Sequence, residues 1–381
     1  MPGKPHWLVA HGGGPTAVLN ASLAGLARGA AGHGATLSAA RFGMEGLLAA
    51  DWVSLDGRSP AFWLQVENAP GSLIGSSRRA MAGDDFPRAI QLCLQRGVTA
   101  LFLTGGNGTM RCAWRLHDAA GPDLQVIGIP KTIDNDIPGM DHTPGHGSVA
   151  RFFAHAARDL GADNRALPSP VTVLETLGRD AGWVTASTAL ARHHPDDAPH
   201  LIYLPERPVS LEQVCGDVDG VLQQLGRCVV AVCEGQKDLD GRPFGADVLN
   251  DRDGVPRLAS NLGHVLAQWI GDRLRVRARS EKPGLVGRCF ALASSPTDRA
   301  ESLAAGEFAA QLAADGQSGV MVALNREPGP AYRLRLEPQP IQTGLRHFPH
   351  SWIHPHGQNV TEEYAKWAHP LAGFVDDLPK L

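Results

Sequence analysis

The sequence predicts an α/β fold: parallel sheets covered by helices, divided into two lobes. Three observations predict it. A strand, a glycine loop and a helix follow one another at Trp7–Ala27 and again at Thr99–Ala120. A buried apolar run, Leu124–Ile129, breaks at Pro130 into a polar loop carrying Lys131, Thr132, Asp134 and Asp136. The chain has 381 residues, enough for two or three lobes with their own cores. Open α/β sheets bind ligands where the strands end and the loops begin. Two carboxylates, a hydroxyl and an ammonium at such an edge suit phosphate handling and deprotonation of an alcohol.

Composition narrows the class of function. Hydrophobic residues make up 43% and charged residues 19%, an ordinary globular profile, and the net charge is −4. That balance predicts no nucleic-acid or membrane partner. The start lacks an apolar segment of the secretory kind, and no apolar run is long enough for a membrane helix. Six cysteines are scattered without a C-x-x-C pair, which fits reduced thiols in a cytoplasmic protein.

In chain order, Trp7–Ala10 reads as a strand, His11–Thr16 as a loop, and Leu19, Leu23, Leu26 and Ala27 as one face of a helix. Glycines let backbone approach a phosphate, and a helix start offers free N–H groups to it. Ordinary tight turns use the same residues. Thr36–Arg41 reads as a strand and Gly43–Leu48 as a turn and helix start. Gly71–Arg79 is a second glycine-bearing loop whose Arg78 and Arg79 suit phosphate oxygens, or else form a solvated basic turn. Phe86–Arg96 is helical in pattern, Thr99–Leu103 is a strand, Thr104–Thr109 is a third glycine loop, and Met110–Ala120 is a helix. Three such loops converging on one sheet edge favour a phosphoryl-transfer site over three structural turns.

Beyond Asp136, a Pro/Gly-rich stretch ending at Ser148 leads to a helix from Val149 to about Leu160. Val171–Glu175 is a strand running into Leu177, Gly178 and Arg179, and Leu201–Leu204 and Arg227–Cys233 are further strands, the latter ending at Glu234. Asn261–Ile270 is helical. Arg275, Arg277, Arg279, Lys282 and Arg288 form either a solvated edge or a collector for a sugar phosphate. Ala300–Ala314 reads as a helix and Val320–Leu324 as a strand. The histidines of the tail (His347, His350, His354, His356), its Trp352, and His193, His194 and His200 read as surface loops rather than metal sites.

These motifs resemble the phosphofructokinase family, from Val9 to at least Leu324: GGGPTAVLN (12–20), GSLIGSSR (71–78), GGNGT (105–109), PKTIDND (130–136), LETLGRDAGW (174–183), CEG (233–235) and a Pro-Gly-x-x-Gly-Arg ending at Arg288. The resemblance implies two Rossmann-like three-layer lobes with the active site in the cleft between them. It implies a donor-binding lobe over 1–138 completed by part of 289–381, a sugar-phosphate lobe over 139–288, and a C-terminal extension over 325–381. The implied reaction is phosphoryl transfer to the 1-hydroxyl of fructose 6-phosphate, a glycolytic step. Asp134 would be the base, with Arg179 and Lys131 stabilising charge. Gly13, Arg78, Arg79, Gly106, Asn107, Gly108 and Thr109 would face the donor. Thr132, Leu177, Gly178, Arg179, Glu234, Arg279 and Arg288 would hold the sugar phosphate. One of the two last arginines would come from a neighbouring copy in a homodimer or homotetramer.

Mg²⁺ is implied, with Asn107 and Asp136 as its candidate protein contacts. Relatives mostly carry Asp at position 107, so charge is lost there. Pro170 stands where another family arginine is expected, Leu177 replaces a usual Met, and Leu285 stands where His or Tyr is frequent. Gly108 leaves room for a nucleotide, whereas Lys131 is typical of pyrophosphate users and of one ATP-using branch. The expectation is ATP, with pyrophosphate the alternative donor. Sedoheptulose 7-phosphate as acceptor, or a regulatory paralogue that binds sugar phosphate without turnover, are the other readings. NAD and diacylglycerol kinases share the glycine loop but not the PKTIDND motif.

Overall fold

In a computed structural model of the chain, described at residues 4–167, 170–244, 261–356 and 358–379, parallel strands and helices alternate as the sequence predicts. The chain begins β1 (His6–His11), α1 (Leu19–Gly32), β2 (Thr36–Ala40), α2 (Met44–Ala49), β3 (Trp52–Ser54), α3 (Pro60–Asn68), α4 (Asp85–Gln95), β4 (Val98–Gly105), α5 (Asn107–Ala120) and β5 (Gln125–Pro130). It continues through α6 (His146–Ala166), β6 (Val171–Thr176), α7 (Trp183–Ala186), β7 (Leu201–Tyr203), α8 (Leu211–Leu225), β8 (Cys228–Cys233), α9 (Leu262–Leu274), β9 (Ala278–Glu281) and α10 (Leu285–Cys289). It closes with α11 (Pro296–Ala314), β10 (Val320–Arg326), β11 (Leu334–Pro340) and α12 (Glu362–Ala372). Among the described residues no helix is long and apolar enough to cross a membrane.

Two compact units result: residues 1–146 with 289–346, and residues 147–288 with 347–381. The first is built on a seven-stranded sheet in the order β11-β10-β5-β4-β1-β2-β3. Its inner strands are parallel, while β3 and β11 run antiparallel to their neighbours. Both faces of this sheet are buried. Along β1, Trp7 and Val9 pack on the α1 and α11 side, whereas Leu8 and Ala10 pack with α2, α4 and α5. That period-two division of an apolar strand is what a three-layer arrangement requires. The second unit carries a parallel sheet in the order β7-β8-β6-β9, with Val171, Val173, Val230 and Val232 packed against α8 and α9.

Local chemistry explains several boundaries that periodicity misses. Ser59, Ser210 and Ser295 each accept a hydrogen bond from a backbone N–H of the first turn, starting α3, α8 and α11. Proline follows Ser59 and Ser295 at the first helical positions, so α11 begins at Pro296 rather than Ala300. Helix α5 starts at Asn107 rather than Met110, which puts Asn107, Gly108 and Thr109 in its first turn. The strands β3 and β11 and the helices α3, α8 and α12 lie outside the elements the sequence predicts; α8 and α12 are amphipathic, but two glycines in α8 and a proline in α12 weaken the local helix signal.

The surface-loop reading of the tail needs correction. His347, His350, His354 and His356 are exposed, but Phe348, Trp352, Tyr364 and Trp367 close around Trp183, with ring centroids 5.0 Å apart for Trp183–Phe348 and 5.2 Å for Trp183–Trp367. Aromatics remote in sequence thus make a core for the second unit. His193 and His194 are exposed as expected, whereas His200 is half-buried, accepts from the Val229 N–H at 2.8 Å, and is lowered to about 4 by burial.

Helices α1 and α11 cross at van der Waals contact because glycine lines the crossing. A Cβ on Gly306 would overlap the Ser22 carbonyl oxygen, and one on Gly25 the Leu303 carbonyl oxygen. Gly306→Ala is expected to destabilise the chain by about 1–3 kcal/mol through overpacking. The urea midpoint reads that loss, and an unchanged midpoint would contradict this packing.

Candidate active site

In the first unit, β1, β4 and β5 are parallel neighbours, so the loops that follow them emerge at one edge. Side chains of glycine size let these loops meet. The Gly12 N–H donates to the Thr104 carbonyl at 2.8 Å, and the Lys131 N–H donates to the Gly105 carbonyl at 3.0 Å. A Cβ on either Gly12 or Gly105 would overlap the Thr109 side chain, so the Thr109 hydroxyl occupies a notch that only glycine leaves open. Gly13 has φ +79°, and its N–H donates to the Ser77 carbonyl at 2.8 Å. The second glycine loop thereby joins the first.

Lys131 is 2% exposed. Its ammonium donates to the carbonyls of Gly12 at 3.1 Å and Gly14 at 2.5 Å. His11 lies beside it. Ser72 uses its hydroxyl proton on the Gly75 carbonyl, so His11 Nδ1–H donates to Ser72 Oγ at 2.8 Å. Burial, with the charge of Lys131 added, lowers His11 to about 3. A neutral His11 leaves the positive charge of Lys131 undoubled. Sequence reasoning singled out Lys131 but not His11, because nothing local marks a histidine at a strand end as buried.

The loop after β5 is bent by Asn135, at φ +53°, a conformation asparagine tolerates better than most residues. Asp134 and Asp136 flank it, both half-buried. The Asp134 N–H donates to Thr132 Oγ1 at 3.1 Å, and Asn107 Nδ2 donates to the Asp136 carbonyl at 3.3 Å. Asn107 therefore ties the first turn of α5 to the acidic loop. Its Oδ1 is buried without a protein donor among the described residues. Around Gly108, no heavy atom of the described residues lies within 4 Å of an added Cβ. Arg78 is exposed, whereas Arg79 is committed to Glu45 at 3.0 Å and Asp85 at 3.1 Å. Arg79 thus clips α2 to α4 instead of presenting an open fork.

In the second unit, β6, β8 and β9 are parallel, so Leu177–Arg179, Glu234 and Lys282 follow strands that end at one edge. Gly178 has φ +130° and Arg179 φ +44°. A Cβ on Gly235 would overlap the Arg179 carbonyl. Arg179 is exposed. Glu234 is raised above the usual carboxyl range, mainly by burial, with Lys282 and Arg179 opposing. Lys282 pairs with the buried Glu175 at 2.5 Å. The sequence offered Lys282 only as one of a basic series, and this ion pair sets it apart. Arg288 lies in α10, its Nε buried without a hydrogen-bond partner among the described residues.

Arg279 is not brought to this edge. It pairs in register with Thr172, four residues before Thr176, which is roughly 13 Å along the strand. Elsewhere in this unit His194, Asp197 and Asp377 bring ligand atoms within 4.8 Å of one another. Asp197 there already accepts from the His193 and His194 N–H groups at 3.0 and 2.8 Å.

Glycine-lined loops, a buried ammonium and a paired-carboxylate loop at one sheet edge define a phosphotransferase of the α/β class. The chain belongs to the phosphofructokinase family: the family model described as "Phosphofructokinase" matches residues 6–313. It is 32% identical to a sulfofructose kinase of Alkalicoccus urumqiensis over 97% of this chain and 95% of the relative. It is 33% identical to a pyrophosphate–fructose 6-phosphate 1-phosphotransferase of Rhodospirillum rubrum over 96% of this chain and 94% of the relative. The crystal structure of a pyrophosphate-dependent phosphofructokinase from Nitrosospira multiformis superposes with a TM-score of 0.88 at 26% identity, covering 99% of this chain and 93% of that one.

The depressed His11 has a thermodynamic consequence. Its folded value of about 3 lies below the ordinary histidine value of 6.5, so its contribution is complete above pH 6.5 and is lost as pH falls toward 3. At pH 5 the loss amounts to about 2 kcal/mol. His11→Asn should flatten the fall in stability between pH 7 and pH 5 by that amount, read from urea unfolding at both pH values. Equal slopes in variant and parent would place the His11 ring in water.

Proposed function

We propose that this chain transfers a phosphoryl group from pyrophosphate to the 1-hydroxyl of fructose 6-phosphate, a phosphofructokinase reaction of glycolysis in the cytoplasm. The observation that carries the donor choice is Lys131: a buried ammonium fixed among the glycine-loop carbonyls favours a compact donor whose every part is anionic. The pyrophosphate-dependent relatives support this reading by matching almost the full chain. It replaces the expectation of ATP.

In this reading Asp134 takes the proton as the 1-hydroxyl oxygen attacks the near phosphorus. A new P–O bond forms, the bridging P–O bond breaks, and orthophosphate leaves. Lys131 and the N–H groups of the glycine loops stabilise negative charge on the donor, and Arg179 does so from the acceptor side. Thr132 and Glu234 accept or donate to sugar hydroxyls, with Leu177 and Gly178 shaping the wall. Arg288 holds the 6-phosphate. The register of Arg279 supports its serving a neighbouring copy, which makes the working species a homo-oligomer. The oxygen-only set of Asn107 Oδ1 and Asp136 fits Mg²⁺, which keeps several waters and binds through few protein oxygens. When bound, Mg²⁺ would neutralise charge on the transferring phosphoryl group.

A second reading keeps ATP as donor, and the open space at Gly108 favours it. For the acceptor, sulfofructose stands as a second reading on the strength of the first relative. Pro170, standing where a phosphate-gripping arginine is expected, suits a less highly charged acidic group.

Initial rates with Mg²⁺, pyrophosphate against ATP, and fructose 6-phosphate against sulfofructose, test both choices. The expected result is turnover with pyrophosphate and fructose 6-phosphate; a rate seen only with ATP would overturn the donor choice. Asp134→Asn should lower kcat about 10²- to 10⁴-fold. Full activity in that variant would remove Asp134 as base.

A further inference from the structure

Six residues beyond the acidic loop, the first unit buries an ionic cluster that the proposed mechanism does not use. His142 is 2% exposed. Its Nδ1 lies 2.8 Å from Asp141 Oδ2 and its Nε2 2.8 Å from Glu301 Oε2. Tyr332 donates its hydroxyl to the other oxygen of Glu301 and lies 3.3 Å from His142 Nε2. Arg326 donates to Asp141 Oδ2 at 2.8 Å and stacks over Tyr332. Carboxylate oxygens face both ring nitrogens, so both nitrogens must donate, and only imidazolium does that. Burial alone would lower His142, but the hydrogen bonds and charges of Asp141 and Glu301 outweigh it and raise it. Arg326 and His142 together balance the two carboxylates.

This cluster anchors the segment that braces the acidic loop. His142 bridges to Leu324 of β10, and the Asp141 N–H donates to the Leu324 carbonyl. Glu301 belongs to α11, whose Asp298 accepts from the Gly145 N–H at 2.9 Å. From that anchored segment, Thr143 N–H donates to Asn135 Oδ1 at 3.0 Å and Thr143 Oγ1 to the Thr132 carbonyl at 2.9 Å. His146 Nδ1–H donates to the Ile133 carbonyl at 3.0 Å, and the Thr132 N–H donates to the Pro144 carbonyl at 3.2 Å. Arg346 closes the far side, its N–H on the Asp136 carbonyl and its guanidinium on the Asp141 carbonyl.

We propose that His142 is a positioning residue for phosphoryl transfer: an imidazolium clamped between Asp141 and Glu301 fixes residues 141–146, and through them the backbone of Thr132–Asp136. The proposal rests on the reading of Asp134 as the base. The charged and titratable groups facing the ring are Asp141 on its own loop, Glu301 on α11, Arg326 at the end of β10 and Tyr332 before β11; Arg346 and His146 lie behind Asp141 and the acidic loop. Because His142 is raised, its stabilising contribution is complete below pH 6.5 and is lost as pH rises through its folded value. Loosening of the loop therefore belongs to the alkaline side.

The test is kcat and KM of the parent, His142→Gln, Glu301→Gln and Asp134→Asn, from about pH 6 to about pH 10. His142→Gln keeps a hydrogen-bonding side chain without the charge. It should lower kcat about 10- to 100-fold with both KM values within about threefold, as misplacement of a base does. Glu301→Gln removes one carboxylate from the clamp and should move the alkaline fall of kcat to lower pH by about one unit. A merely structural role would not move that limb. If His142→Gln does not fold, Glu301→Gln decides alone. A folded His142→Gln with parental kcat, or an unmoved limb in Glu301→Gln, overturns the positioning role even when Asp134→Asn is inactive. An active Asp134→Asn overturns the reading beneath it.

Discussion

Three parallel strands of the first unit end so close together that their loops share hydrogen bonds, and that closeness constrains much of what surrounds it. Gly12 and Gly105 leave the notch that Thr109 fills. Lys131 extends into the same space and bonds to the carbonyls of Gly12 and Gly14. A side chain at Gly12 or Gly105 would collide with Thr109 and push the strand ends apart. Parallel register makes the convergence possible, since only parallel neighbours release their loops at a common edge.

The acidic loop is held differently. Its residues form no regular element between β5 and α6, so its shape depends on other parts of the first unit. Asn107 ties it to α5 and Arg346 to the segment that follows β11, while residues 141–146 brace it from behind. A loop fixed from three directions loses little entropy when it meets a substrate, which is what positioning requires. The cost is a buried ionic cluster, tolerable because cations and carboxylates balance and the ring nitrogens are paired.

Much of the first unit was legible in the sequence because its signals are local. Apolar runs such as Thr99–Leu103 announce buried strands, and glycine loops followed by apolar periodicity announce the strand-to-helix turns. The second unit was less legible. Helices α8 and α12 are amphipathic, but α8 holds two glycines and α12 a proline, residues that argue against a helix when read locally. Trp352 read as part of an exposed tail because Trp183, whose ring it meets edge-on, lies far earlier in the sequence. The motifs singled out Lys131, Asp134 and Asn107, and the structure ties Lys131 to the first glycine loop and Asn107 to the acidic loop that carries Asp134. The ion pairing of Arg79, the burial of His11 and the position of Arg279 along β9 were not legible, because each depends on what lies across a sheet or on a neighbouring helix.

The sequence by itself determined the alternation of strands and helices, the glycines at the strand ends and the residue types of the acidic loop. Each follows from backbone freedom, side-chain period or charge within a few consecutive residues. Tertiary structure decided the charge states and the commitments of the polar groups. His11 is neutral because it is buried beside an ammonium, and His142 is charged because Glu301, 159 residues away, faces its second nitrogen. Both are histidines of the same intrinsic basicity, separated in behaviour only by the groups that folding packs against them.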